Sequence, residues 1–381
     1  MEINYGSGGS ANCVLVPPFN CKKRKYNNNY VSKIAKFTTK EEINLITNEI
    51  RIGKFLKNKK LDKYFVLVTD HCNLKKSKYK TLKKCNLDKK SNYKILYSKN
   101  VGCYPITKKS KVYVSNNNLI KKIKVNNIIN NKIISKNKKY NSSNIKWICG
   151  EFTNELVVDM CFSESNQIKS IQSLLKMLKL LHQNNIIHGD IKLDNIISNN
   201  NQEIRLIDFA GSSILSDFNI LDINSDFNIL IIKISHILLN HTIEYVSPEL
   251  LIIYEFYKNK DIKKKEMFNN IQLILEKSFN KSLHKKTIME LKNIIDFIYK
   301  NKRRFIRDMF LLNKNSKIFK SDIYSMGMAL FYIYKYIIGK QNINLKNKSL
   351  KQIMKLIYNM THIDYRKRYN ISKCCRIFSF K

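Results

Sequence analysis

Two segments constrain this chain more than any others: IIHGDIKLDNIIS at 186–198 and RLIDFAGSS at 205–213. In each, a short apolar run frames polar residues. That pattern predicts brief buried strands, with a loop after IIHG and a turn after Asp208. The loop carries Asp190, Lys192 and Asn195, and Asp208 follows the second apolar run. Asn195 offers a neutral oxygen and Asp208 an anionic one, a donor set that suits a hard cation such as Mg²⁺. A lone D-x-K-x-x-N string is a weak signal, but LIDF at 206–209 behind it makes coincidence a poor explanation.

With 381 residues, the chain is long enough for one large domain or two ordinary ones. Hydrophobic residues make up 44%, which excludes disorder by composition, and 10 Gly with 4 Pro argue against long flexible linkers. The formal net charge of +41 attracts phosphates, nucleic acid and acidic surfaces, although Lys, Asn and Ile are over-used everywhere and drift in composition explains much of it. Nine Cys are scattered without a CxxC pair or zinc-ligand spacing, so an intracellular, reducing compartment is expected. MEINYGSGGS has neither a basic n-region nor an apolar h-region, so no signal peptide is expected. No apolar run reaches the ~18 residues that a spanning helix needs.

Along the chain, MEINY, GSGGSAN and CVLV predict strand, turn and strand over 1–16, and YVSKIAKF at 30–37 alternates as a half-buried strand would. Thr39 followed by Glu42 suits a capping box, and Ile43, Ile46 and Ile50 recur at helical spacing, so a helix is expected from about 40 to 56. Residues 57–145, rich in Lys and Asn, read as an insertion that is partly ordered at best. IKWICGEFTNELVVDM at 145–160 reads as a hairpin. In 167–183, Ile168, Ile171, Leu174, Leu175, Leu178 and Leu181 share a helical face. SDFNIL occurs at 216–221 and again at 225–230, a local duplication. Beyond 250 the pattern is mainly helical. Leu291, Ile294, Ile295 and Ile298 mark one helix, and a buried helix is expected at 322–337. Strands first and helices later is the segregation of an α+β chain.

These pieces together resemble the eukaryotic-type Ser/Thr protein kinase family. Residues 186–198 resemble its HRDxKxxN catalytic loop and 208–211 its DFG segment. YGSGGSANCVLV resembles the glycine-rich loop, with Gly6 and Gly8 matching and Cys13 in the place of the valine under the adenine. On its own a GSGGS string is a plain flexible turn, and its place in the chain carries the likeness. Lys36 in KIAKF resembles the strand lysine of VAIK. Glu49 on the following helix resembles its ion-pair partner, with Glu42 left to the cap. LVVDM resembles the strand entering the interlobe hinge, so adenine would bond backbone groups near Asp159–Cys161. HTIEYVSPE resembles GTxxYxxPE, KSDIYSMGM resembles DxWSxG with Tyr324 for Trp, and DYRKR resembles DPxxR.

The resemblance implies a two-lobed fold, with an N-lobe at about 1–160 and a C-lobe at about 161–381 that has its own insertion at about 251–318. It implies ATP and Mg²⁺ as cofactors and proteins with Ser or Thr acceptors as substrates. Lys36 and Glu49 would align the nucleotide, Asp190 orient the acceptor, Lys192 offset charge, and Asn195 with Asp208 hold Mg²⁺. Thr242 would reach Asp190 and Lys192, Asp322 would brace the catalytic loop, and Arg368 would pair with Glu249. Gly189 replaces the arginine of HRD, which argues against control by loop phosphorylation. Ala210 replaces the glycine of DFG, and Ala11 the third loop glycine. In composition and in its abbreviated N-terminus the chain is similar in style to kinases of large DNA viruses. Two other readings stand beside this one. The first is a small-molecule kinase of the same fold. The second is a non-catalytic basic scaffold that binds nucleic acid or acidic proteins.

Overall fold

A computed structural model describes residues 3–5, 11–16, 18–19, 26, 29–85, 87–88, 90–99, 112–116, 119–123, 164–198, 204–217, 242–280, 282–310, 316–340 and 348–378. The chain divides into two compact units. One comprises 1–163 with 193–210, the other 164–192 with 211–381. The first is rich in strands and the second is mainly helical, which is the expected α+β segregation.

In the first unit, β1 (Ile3–Tyr5), β2 (Ala11–Val16), β3 (Tyr30–Phe37), β4 (Asp70–Asn73) and β5 (Asn92–Lys99) form an antiparallel sheet in the order β1-β2-β3-β5-β4. Side chains alternate across a strand, so β3 serves two cores at once. Ile34 packs with Leu15, Cys72, Leu82, Tyr93 and Ile95 on one face. Ala35 packs with Ile46, Ile50, Val68 and Leu96 on the other. The expected half-buried strand is therefore covered on both faces.

Helix α1 (Lys40–Asn58) covers the Ala35 face. It begins as anticipated: Thr39 Oγ1 accepts from Glu42 N, and Glu42 accepts in return from Thr39 N. Such a box removes two orphan donors and contributes about 1 kcal/mol.

The expectation that 57–145 is an insertion needs correction over its first part. Residues 70–73 and 92–99 are sheet strands, and β5 pairs with β3 from Tyr30↔Lys99 to Phe37↔Asn92. Tyr93, Ile95, Leu96 and Tyr97 bury between lysines that masked the strand pattern. A separate hairpin joins β6 (Val112–Asn116) to β7 (Leu119–Ile123). Cys72 and Cys85, both buried, are disulfide-bonded, although their spacing gave no sign of a framework. The duplicated SDFNIL and the hairpin expected at 145–160 lie, in all but the first residues of the former, outside the described residues.

The second unit opens on α2 (Glu164–Gln183), whose Ile171, Leu174, Leu175, Leu178 and Leu181 are buried as the periodicity required. Short strand β8 (Ile186–Ile187) pairs with β11 (Ser213–Ile214). In the first unit, β9 (Ile196–Ser198) pairs with β10 (Ile204–Leu206). Helices α3 (Pro248–Lys258), α4 (Lys264–Phe279), α5 (Lys285–Lys300) and α6 (Lys302–Met309) fill most of the region expected as a second insertion. That region joins the main core: Leu250 and Phe256, Met267 and Ile271, Leu291 and Ile295, and Phe305 all pack in one cluster. Helices α7 (Phe319–Lys340), α8 (Lys348–Met360) and α9 (Ile371–Ile377) complete the unit.

An ion pair fastens α3 to the 364–368 turn, as the motif likeness implied. Arg368 Nη1 and Nη2 donate to Glu249 Oε1 and Oε2 at 2.6 and 3.0 Å, with both side chains fully buried. Further donation from Arg368 to the carbonyls of His362 and Lys320 satisfies the guanidinium. Tyr324 lies under it, with the guanidinium carbon 4.9 Å from the ring centre. Burial raises the Tyr324 hydroxyl well above its ordinary value, and that hydroxyl has no hydrogen-bond partner among the described residues. An unpaired buried hydroxyl costs about 1–3 kcal/mol. Tyr324→Phe should therefore leave the melting temperature unchanged or raise it, as followed by differential scanning calorimetry. A drop equivalent to more than ~2 kcal/mol would reveal a partner that the hydroxyl needs.

Candidate active site

Within the β-rich unit, three charged groups meet. Lys33 Nζ lies 3.3 Å from Glu49 Oε1 and 3.7 Å from Asp208 Oδ1. Lys33 comes from the middle of β3, Glu49 from the buried face of α1, and Asp208 from the segment that follows β10. Burial alone would lower the Lys33 ammonium, but the carboxylates of Asp208 and Glu49 outweigh it and hold the group well above its ordinary value. Burial pushes the Glu49 carboxyl up; Lys33 opposes this and Asp208 adds to it. One cation thus serves two carboxylates, and Lys33 stays charged throughout the working pH range.

The lysine that meets Glu49 and Asp208 is thus Lys33, where the sequence pointed to Lys36. Lys36 Nζ bonds instead to Asp88 Oδ2 at 2.9 Å on an exposed surface. The physical reason is parity. Residues 33 and 36 are an odd number apart, so they lie on opposite faces of β3, and only the face with Lys33 and Ala35 is covered by α1. The signal was present in Ala35 and Phe37, which share that face with Lys33.

Asp208 adopts φ 62°, a left-handed conformation that a non-glycine residue holds only when its surroundings enforce it. Its Oδ1 is buried and accepts no hydrogen bond among the described residues. Asn195 is also buried, at the end of a one-turn helix spanning Leu193–Asn195, and its carbonyl accepts from Ile207 N at 2.9 Å. The backbone therefore ties the Asn195 turn to the residue beside Asp208. No cluster of three or more His, Cys, Asp or Glu suited to a metal exists among the described residues. A cation held here takes few protein oxygens. Mg²⁺ accepts that arrangement, because it keeps waters and binds substrate phosphates alongside one or two protein ligands. Asn195 and Asp208 fit the group, and Asp208 Oδ1 faces the Lys33 ammonium without accepting a hydrogen bond from it.

In the helical unit, Lys192 Nζ lies 2.8 Å from Asp190 Oδ2 in the loop after β8. The loop is held from beneath by Asp322, on the first turn of α7. Asp322 Oδ2 accepts from His188 N at 2.9 Å, and its Oδ1 accepts from Gly189 N at 3.0 Å. His182 Nε2 lies 3.3 Å from the same carboxylate. Burial would raise the Asp322 carboxyl, but the His182 bond, the neighbouring histidines and the Gly189 N–H hold it below the ordinary carboxylate value. Gly189 sits at φ 80°, where any side chain would be strained. Its backbone, rather than an arginine side chain, is the part this loop uses. The implied bonds from Thr242 to Asp190 and Lys192 are not among the contacts of the described residues.

Gly6, Gly8, Asp159 and Cys161 lie outside the described residues. Cys13 lies on β2 opposite Ile34, beside a register shift between Ala11 and Cys13.

The sequence model of the protein kinase domain matches residues 83–380. This chain belongs to the protein kinase family. A protein kinase domain uses ATP as substrate and Mg²⁺ as its metal cofactor. The match covers Asp190, Lys192, Asn195 and Asp208 but begins after Lys33 and Glu49, whose place rests on geometry. Dual specificity protein kinase zak2 of Dictyostelium discoideum is 34% identical over 101 residues, 26% of this chain and 15% of that protein. The liver/testis isoform of the phosphorylase b kinase gamma catalytic chain of Bos taurus is 40% identical over 63 residues, 16% of each chain. Striated muscle preferentially expressed protein kinase of Danio rerio is 34% identical over 101 residues, 26% of this chain and 3% of its own length. The alignments thus span less than a fifth of these curated relatives.

Two outcomes are expected. Lys33→Met should cut Mg²⁺–ATP-dependent activity by at least ~100-fold, as loss of a fixed electrostatic partner does, while Lys36→Met retains it; steady-state rates would show the opposite ranking if Lys36 were the nucleotide lysine. The second concerns acid. A carboxyl whose folded value is depressed contributes stability above its unfolded value, and the contribution is lost as pH falls through the folded one. Asp322→Asn should therefore destabilise by about 2–4 kcal/mol at neutral pH and by progressively less below the ordinary value of 3.8. Thermal melts that show the same difference at pH 7 and pH 3 would refute this.

Proposed function

We propose that this chain transfers the γ-phosphoryl group of ATP to serine or threonine hydroxyls of proteins. The observation that supports it most is the Lys33 ammonium held between the Glu49 and Asp208 carboxylates. Phosphoryl transfer asks a protein for positioning and charge neutralisation more than for covalent chemistry. Lys33, kept charged by two carboxylates, binds the α- and β-phosphates. Asn195 and Asp208 hold Mg²⁺, which supplies neutralisation of the developing phosphate charge. Asp190 orients the acceptor hydroxyl and takes its proton as the new phosphorus–oxygen bond forms and the bond to ADP breaks. Lys192, seated on Asp190, offsets charge on the transferring group.

Serine and threonine are favoured over tyrosine by Lys192 and by Thr242 in a GTxxYxxPE-like segment. The name of the zak2 relative favours a second reading, dual specificity. The +41 charge supports acidic acceptor proteins or nucleic acid as partners. Among the described residues, no helix is long and apolar enough to cross a membrane.

The test uses purified protein, γ-labelled ATP, Mg²⁺ and both a basic and an acidic carrier protein, beside Asp208→Asn and Asp190→Asn. Label should appear on serine and threonine with the wild type and fall by at least ~100-fold in each variant. Equal label in all three would end the enzyme reading in favour of a basic scaffold, and label on tyrosine as well would establish dual specificity.

A further inference from the structure

Asp208 needs a conformation that its own backbone resists, and the described neighbours show what enforces it. The left-handed region costs a non-glycine residue roughly 1–2 kcal/mol, so the residues on either side must be held. Upstream, Val66 N donates to the Leu206 carbonyl at 3.1 Å, and Phe65 forms an isolated parallel bridge with Leu206. Next to Asp208, the Phe209 ring meets Phe65 edge-on with centres 5.6 Å apart, both rings fully buried. Downstream, Asn48 Nδ2 donates to the Ala210 carbonyl at 2.9 Å. Arg51 Nη2 donates to Asn48 Oδ1 at 2.9 Å, which turns the amide so that its nitrogen faces Ala210.

Asn48 directly precedes Glu49 on α1. The same helical turn therefore carries the carboxylate that fixes Lys33 and the amide that fixes the far side of Asp208. The helix cannot drift from this position on its inner side either. Its Gly53 packs so closely on the 65–68 segment that a Cβ there would lie 2.0 Å from the Val68 carbonyl oxygen. Helix α1, residues 65–68 and residues 206–210 are thus joined by these contacts around the strained residue.

We infer that Asn48 is a positioning residue for phosphoryl transfer: its bond to the Ala210 carbonyl holds Asp208 in the conformation that presents Oδ1 to Mg²⁺. Ala210 matters here for its carbonyl. Through Asn48, the placement of Glu49 and the readiness of the metal ligand become one property of one helix. A shift of α1 would break the Lys33 pair and release Asp208 together. The inference rests on the kinase reading above and concerns the metal half of that site.

The experiment is calorimetric titration of the full chain with ATP, with and without Mg²⁺, for wild type, Asn48→Asp and Asn48→Ala. Asn48→Asp keeps the size of the side chain but turns the donor facing Ala210 into an acceptor. Asn48 is only half-buried, and alanine suits a helix, so both variants should fold with near-native melting temperatures. Wild type should bind ATP more tightly with Mg²⁺ than without. Both variants should lose about tenfold or more of that gain, the usual cost of removing a group that orients a metal ligand, while metal-free ATP affinity stays unchanged. Mg²⁺-dependent gains equal to wild type would overturn the inference. So would an equal loss with and without Mg²⁺, because that would mark Asn48 as merely structural. A wild-type chain with no Mg²⁺-dependent gain would instead sink the kinase reading itself.

Discussion

One ammonium group organises the nucleotide half of this molecule. Lys33 is half-buried on the α1-covered face of a sheet, where a charge is best tolerated if opposite charges accompany it. Glu49 and Asp208 provide two, one from the helix that follows the strand and the other from a part of the chain remote in sequence. The cost of burying any one of them is offset only while all three are together. The sheet register, the cap that starts α1 and the turn at Asp208 are therefore conditions on one another. Removing one member leaves an uncompensated charge in the interior, which is why the cluster behaves as a unit.

The helical unit solves a different problem with the same means. The loop after β8 holds Asp190 and Lys192 on an irregular segment, and irregular backbone needs partners for its N–H groups. Asp322 supplies them for His188 and Gly189 from the first turn of α7. Arg368 and Glu249, fully buried, fasten α3 to the C-terminal turns around the same helix. Two buried carboxylates thus hold the frame, one accepting from backbone and the other from a guanidinium. Both are depths at which an error in pairing would be costly.

How far this was legible in the sequence follows from what kind of pattern each part carried. The segments 186–198 and 205–213 were legible because polar residues at fixed spacing sit between apolar runs. Helices α1, α2 and α5 announced themselves through apolar periodicity, α7 as a long apolar stretch, and Thr39 with Glu42 marked a start. Lys33 was not legible because KIAKF resembles VAIK with Lys36 in the place of the lysine, and only strand parity singles out Lys33. Two lysines three apart look interchangeable in a lysine-rich chain, and only the face shared with Ala35 separates them. Strand β5 was missed because Lys94 interrupts its apolar residues and Lys99 ends them, in a stretch of heavy lysine use across 57–145. Asn48 carried no sequence signal: its role depends on a carbonyl more than a hundred and sixty residues away, at a distance in sequence of 162.

The most direct measurement is a double-mutant cycle between Lys33→Met and Asp208→Asn, read as the affinity for ATP with Mg²⁺ present. If the two side chains act through one another and one bound triphosphate, their effects should be non-additive by about 1–3 kcal/mol. Strictly additive losses, or a Lys33→Met variant that binds as wild type does, would contradict the central claim that this ammonium and this carboxylate form one site.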